Sequence, residues 1–201
     1  MTPILILAAG SSSRMSGKDK LLQEIDGTPL LQRTVRRAVA TGNPVFVAIP
    51  GPWHPRYDLL RREQVACFDV PDSKEGVGGT LRGAVKRLPP CDAFLVMLAD
   101  MPDLETGDLL QIIYEKDNHR DALIIRASTE AGKLGHPILF DASLRPAFAM
   151  LRGDRGAAEI VTQHKDQMIT VALKGERARF DLDTPEDWQT FEDRQVPAIS
   201  G

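Results

Sequence analysis

The chain has 201 residues, a net charge of −3, and 42% hydrophobic against 26% charged residues, so it can bury one sizeable core and carries no overall basic footprint for nucleic acid. No apolar run approaches the ~20 residues of a membrane span, and the N-terminus enters an apolar strand directly, without a charged leader or a cleavage site, so a cytoplasmic protein is expected. Cys67 and Cys91 lack metal-ligand spacing and read as small buried groups, reduced in that compartment.

The first element, Ile4-Leu-Ile-Leu-Ala-Ala-Gly10, is an unbroken apolar run of strand length, as a strand buried in a parallel sheet requires. Gly10 ends it and opens a small, polar, cationic loop containing Ser11, Ser12, Arg14, Lys18 and Lys20. Open α/β sheets take ligands at the carboxyl ends of such strands, and small residues let successive amides approach a phosphate. An anionic ligand, a nucleotide first of all, is the expectation. Two better-known phosphate loops do not fit. Six residues separate Gly10 from Gly17 and Lys18 is followed by Asp19, which excludes a Walker A loop; Ser12 and Ser13 stand where later glycines of G-x-G-x-x-G belong.

Gly27-Thr-Pro29 then turns into a helix over residues 29–42, with Leu31, Val35, Ala38 and Val39 as its apolar seam and Arg33, Arg36 and Arg37 on the wet side. Val45-Phe-Val-Ala-Ile49 is the second strand; a stiff loop through His54 leads to a short helix over 57–63, and residues 65–70 form the third strand. This β-α-β-α-β order argues for a mainly parallel sheet covered by helices. A second glycine-rich stretch, residues 71–80, enters a helix over 79–86, where free amides and the helix dipole favour acceptor atoms. Ala93-Phe-Leu-Val-Met-Leu98 is the central strand, and Asp100 follows it where such sheets bind ligands, as a magnesium anchor would. Asp103, after a proline, reads as the N-cap of a helix over 104–118.

A fifth strand over 122–127 and Pro137-Ile-Leu-Phe140 flank a polar hairpin loop; His136 has no nearby cysteine or second histidine to make a metal site. Two short helices, 143–151 and 156–164, and a strand over 168–173 follow, with His164 bordering a packed face. In Phe180-Asp-Leu-Asp183 the two acids alternate with apolar residues, so on a strand both carboxylates face one side. Glu186 and Asp187 belong to the first turn of a terminal helix opened by Thr184-Pro185, whereas Asp183 has no such structural explanation. Residues 1–193 are expected to form one domain and 194–201 a frayed tail.

Leu7-Ala-Ala-Gly-x-x-x-Arg14-Met15, then Lys20-Leu-Leu and Gly27-x-Pro29-Leu-Leu, resemble the signature of the molybdenum-cofactor cytidylyltransferase-like NTP transferase family. Glu75-Gly-Val-Gly-Gly-Thr-Leu-Arg82-Gly83, the Asp-x-Pro at Asp100 and the Gly-Asp-x-Gly of residues 153–156 extend the likeness. The resemblance implies a single-domain, Rossmann-like three-layer α/β/α fold with a mostly parallel mixed sheet, of the nucleotide-diphospho-sugar transferase type. It implies nucleotide contacts at Leu7, Ala8, Ala9, Gly10, Ser11, Ser12, Arg14, Lys20, Gly78, Gly79, Thr80 and Arg82, an acceptor contact at His136, and Mg2+ on Asp100 and Asp183. Whether Asp181 joins that metal stays open.

The activity so implied is transfer of a nucleoside monophosphate from a nucleoside triphosphate to a phosphorylated small-molecule acceptor, molybdopterin-like, with a client molybdoenzyme or its chaperone downstream. Arg14, Lys20 and Asp100 are the expected catalytic residues. Leu7-Ala-Ala-Gly10 resembles the CTP-using form and Asp19-Lys20 the GTP-using one, and CTP is the expected base. A sugar-phosphate nucleotidylyltransferase would share most of these motifs. A metal-dependent glycosyltransferase would use Asp181-x-Asp183 but has no need of a cationic loop for leaving pyrophosphate. A non-enzymatic nucleotide sensor would not need Lys20, Asp100 and Asp183 together.

Overall fold

The computed structural model describes residues 1–12, 15 and 17–195. In chain order the strands and helices are β1 (Ile4–Leu7), β2 (Glu24–Ile25), β3 (Thr28–Pro29), α1 (Leu30–Val39), β4 (Val45–Ile49), α2 (Pro55–Leu60), β5 (Ala66–Asp69), α3 (Val77–Arg87), β6 (Ala93–Leu98), α4 (Thr106–Asn118), β7 (Ile124–Ser128), β8 (Leu134–Asp141), α5 (Arg145–Ala149), α6 (Ala158–Gln163), β9 (Met168–Ala172) and α7 (Pro185–Gln195). A seven-stranded sheet runs β5-β4-β1-β6-β8-β7-β9, and a small antiparallel hairpin of β2 and β3 stands apart from it. All neighbours in the large sheet are parallel except β8, which is antiparallel to both β6 and β7.

The burial explains the order. The fully apolar runs β1 and β6 are central and covered on both faces, as unbroken hydrophobicity demands. One face packs against α1, α4 and α7 through Leu31, Val35, Leu109, Ile112, Trp188 and Phe191; the other packs against α3, α5 and α6 through Leu81, Val85, Phe148, Ile160 and Val161. The result is the expected three-layer α/β/α fold with a mostly parallel mixed sheet. Among the described residues no helix is long and apolar enough to cross a membrane.

Several local expectations need correction. Residues 180–183 form an irregular connection, with Leu182 fully buried between the two acids, rather than a strand. Glu105, not Asp103, caps α4, and it does so in a reciprocal capping box with Asp108. Asp103 instead accepts a 2.5 Å bond from Arg194. That arginine lies within α7 and over the Phe180 ring, so the terminal helix reaches two residues into the segment expected as tail; residues 196–201 lie outside the described residues. Arg37 is not on a wet face. It donates to the carbonyls of Pro102 and Leu104 at 2.5 and 2.7 Å and so ties α1 to the turn after β6.

The short helix α5 is held chiefly by Phe148, whose ring meets Phe94 and Phe140 with centroids at 5.3 and 5.0 Å. Phe148 is 1% exposed, so truncation leaves a cavity the sheet cannot close. Phe148→Ala is expected to cost about 3–5 kcal/mol in urea unfolding. A loss below about 1 kcal/mol would show that this cluster is loosely packed.

Candidate active site

The chain leaves β1 toward β4 and β5 on one side and returns through β6 on the other, which opens a crevice beyond the carboxyl ends of β1 and β6. A cleft of about 1010 Å³ lies there, lined by residues 7–12, by 17–21, by Gly76, Val77 and Thr80 of the α3 entrance, and by Asp100, Asp154 and Asp183. Leu7, Ala8, Ala9, Gly10, Ser11, Ser12 and Lys20 therefore share one wall, whereas Arg14 lies outside the described residues.

Lys20 opens a single 3₁₀ turn whose N-cap, Asp19, accepts from the Leu21 amide at 3.0 Å. Its ammonium, 9% exposed as a residue, donates to Asp100 Oδ2 at 2.5 Å and also to Asp183 Oδ1. Burial works against the charge, but the carboxylates of Asp100 and Asp183 outweigh it and raise the Lys20 pKa. Each carboxylate is fixed by its backbone. The Ala99 amide donates to Leu7 O, Thr34 Oγ1 donates to Ala99 O at 3.0 Å, and the Leu182 amide donates to Asp100 O at 3.0 Å. Asp187 accepts from the amides of Asp183 and Thr184 at 3.1 and 2.8 Å, which sets the last carboxylate in place.

One oxygen from each of Asp100, Asp181 and Asp183 lies within 4.8 Å of the others. Burial first, then the neighbouring carboxylates of Asp100 and Asp183, push the Asp181 carboxyl above its ordinary value. Asp100 Oδ1 is buried and, among the described residues, has no hydrogen-bond partner. Clustered carboxylate oxygens beside a cleft of this size suit a hard divalent cation in charge and donor type. The connection 180–183 thus brings Asp181 and Asp183 to Asp100 without a strand.

The glycines at the α3 entrance have a different explanation from the one expected. A Cβ on Gly78 would stand 2.6 Å from Arg155 O, and one on Gly79 would stand 2.1 Å from Asp72 O. Their smallness admits protein backbone; among the described residues the cleft lining includes Gly76, Val77 and Thr80 instead. Gly76, at φ 109°, is the residue that needs the left-handed region. The Thr80 hydroxyl donates to Gly76 O at 3.1 Å while the residue lines the cleft. Arg82 is not part of the cleft lining; it is paired with Glu75 at 2.8 Å and Asp72 at 3.0 Å and donates to Leu151 O. His136 sits on β8, its amide donating to Ala178 O at 2.7 Å, and it is not part of the cleft lining.

The residue that sequence reasoning missed is Arg56 on α2. It is 1% exposed and lies against the loop after β1, bonded to Asp19, Ala8, Gly10 and Ser12. His54, expected as a plain loop residue, caps α2 by accepting from the Arg56 amide at 3.3 Å. Nothing in the local pattern distinguishes Arg56 from the solvated arginines at 61 and 62; the one faint signal is Asp19, an acid flanked by Lys18 and Lys20.

A family model described as the MobA-like NTP transferase domain matches residues 4–168. The chain is 39% identical over 107 residues to a probable molybdenum cofactor guanylyltransferase of Synechococcus elongatus, an alignment covering 52% of this chain and 53%, about half, of that protein. It is 29% identical over 200 residues to a molybdenum cofactor guanylyltransferase of Burkholderia vietnamiensis, covering 92% and 91% of the two. Among solved structures, Rv0371c of Mycobacterium tuberculosis H37Rv superposes with a TM-score of 0.82 at 25% identity, over 96% of this chain and 97% of that one. A manganese complex of the same protein gives 0.79 at 24% identity, over 97% and 99%, a likeness of fold.

Burial, with Arg126 nearby, pushes the His136 pKa from 6.5 down to about 4. Between these values the unfolded chain takes up a proton that the folded chain refuses, so this histidine contributes a loss of stability as pH falls from 6.5 to about 4 and none above that window. His136→Asn is expected to flatten the dependence of urea-unfolding free energy on pH there. An unchanged slope would mean that the imidazole is protonated in the folded protein.

Proposed function

Because the chain belongs to the MobA-like NTP transferase family, we propose that it transfers the nucleoside monophosphate of GTP to the terminal phosphate of a molybdopterin-type acceptor. The observation that carries this reading is the Lys20 ammonium, held between Asp100 and Asp183 on the wall of a nucleotide-sized cleft. The acceptor phosphate oxygen forms a bond to the α-phosphorus, the bond from that phosphorus to the bridging oxygen breaks, and pyrophosphate leaves. Both reactants are anions, so the obstacles are repulsion and alignment rather than proton removal. An acceptor phosphate is already ionised at neutral pH, and no general base is required of the protein.

The amides of residues 9–12 hold the triphosphate, and Lys20 turns from the carboxylates to the charge growing on the α-phosphate. Arg14 neutralises the leaving phosphates. Asp100 and Asp183 would hold magnesium, with Asp181 beside them, and the bound ion supplies several kcal/mol of charge stabilisation at the reacting phosphate. The helix N-terminus at Gly76–Val77 adds only ~0.3–2 kcal/mol toward an anion. The ion and Lys20 therefore carry the larger part.

GTP is supported by the guanylyltransferase names of the relatives. A second reading, CTP, rests on Leu7-Ala-Ala-Gly10, which resembles the cytidylyl-using form. Pyrophosphate release, measured with each ribonucleoside triphosphate, magnesium and molybdopterin, separates the two. Release with GTP is expected; release with CTP alone would move the assignment to the second reading, and release with none would overturn both. Lys20→Ala and Asp183→Asn should each lower turnover by about 10²-fold or more. Rates near wild type in both would remove these residues from the reacting centre.

A further inference from the structure

We propose that Arg56, buried against the loop at the floor of the cleft, is a positioning residue that aims two of the loop's amides at the triphosphate. The inference rests on reading residues 8–12 as the phosphate loop. A guanidinium has five N–H donors, and here five acceptor atoms surround it. Nε and Nη2 fork over the Asp19 carboxylate at 2.8 and 2.7 Å, Nη1 donates to Ala8 O at 2.6 Å and Gly10 O at 2.7 Å, and Nη2 donates to Ser12 Oγ at 3.2 Å. At 1% exposure with its donors engaged, Arg56 has nothing left to offer a nucleotide directly.

Its effect passes through the peptide planes. In a trans peptide the carbonyl of one residue and the amide of the next point in opposite directions. Drawing the carbonyls of Ala8 and Gly10 onto the guanidinium therefore turns the amides of Ala9 and Ser11 away from it, and both residues line the cleft. Without that anchor the same carbonyls are able to rotate toward the triphosphate and repel it. The fork to Asp19 does a second task. Asp19 caps the turn that begins at Lys20, so one guanidinium fixes both the amides and the base of the lysine. Burial works against the Asp19 charge, yet the Arg56 hydrogen bonds and charge hold its carboxyl below its ordinary value. The ion pair is thus closed on itself, and the loop gains order without an added net charge.

A lysine cannot reproduce a planar fork shared among a carboxylate and two carbonyls. Removing Arg56 alone strands a buried Asp19, so a second variant should remove both charges together. Inorganic tripolyphosphate with magnesium is the probe, since it reports the loop without the base or the acceptor. Titration calorimetry on Arg56→Lys and on the double variant Arg56→Met with Asp19→Asn should show binding weakened by at least about tenfold, as loss of preorganised contacts predicts. In amide spectra of the wild-type protein, the signals of Ala9 and Ser11 should move with tripolyphosphate; in folded, cooperatively melting variants they should not. Arg61→Lys, on the exposed side of the same helix, should bind as wild type. Binding by Arg56→Lys within twofold of wild type would overturn the positioning role. So would a double variant that fails to fold, which would make Arg56 a folding residue only. If the wild-type protein binds no tripolyphosphate, the phosphate-loop reading itself falls and takes this inference with it.

Discussion

Asp100 and Asp183 arrive from positions 83 residues apart in the chain, and two half-buried carboxylates so close together repel unless a cation stands between them. Lys20 is that cation. Its contacts join the first loop, the end of the central strand and the connection into the terminal helix, three pieces that no run of sequence holds together. The backbones around it are held independently. Leu182 bonds to Asp100, Thr34 to Ala99, Asp187 to Asp183 and Thr184, and Arg37 to the carbonyls of the turn that follows. Among the described residues these backbone bonds do not pass through Lys20, so its side chain can exchange partners without moving them.

The charge balance gives this cluster its character. Among the described residues the carboxylates of Asp100 and Asp183 meet the Lys20 ammonium, and the Asp181 carboxyl beside them is pushed upward by burial and by its two neighbours. Clustered carboxylate oxygens are the donor type that a hard divalent ion takes. Elsewhere among the described residues buried charges pair within the protein, as Arg56 does with Asp19 and Arg177 does with Asp108.

Much of the scaffold was legible because burial on both faces of a sheet leaves an unmistakable trace. The runs 4–9 and 93–98 contain no polar residue, so their central place, and with it the position of the first acid after the second run at the cleft, followed directly. Asp183 was legible as an acid lacking a helix-capping explanation. Asp103 was not, since its partner Arg194 lies 91 residues away and a proline beside it imitates a helix start. Gly78 and Gly79 misled for a related reason. A glycine looks the same in sequence whether a ligand or a carbonyl approaches it, and here the carbonyls of Arg155 and Asp72 do. The apolar periodicity that locates helices says nothing about which arginine on a short helix turns inward, and Arg56 stayed hidden among its neighbours.

That hidden arginine answers a difficulty built into any loop of glycines and serines. Such a segment has almost no apolar surface to bury, so the hydrophobic effect cannot order it, while fixing each residue costs about 1–2 kcal/mol of backbone entropy. Its small residues are needed so that amides can come close to a phosphate, and they forfeit side-chain packing as a result. Order has to come from hydrogen bonds supplied from outside the loop. A donor group rigid in itself is the most economical source, since fixing one plane fixes several contacts. Arg56 reaches Ala8, Gly10, Ser12 and Asp19 from a helix whose own position is set by the Leu60 side chain in the core. Through it, packing on one face of the sheet bears on a loop that reaches the core itself only through small Ala8 and through Met15 among the described residues.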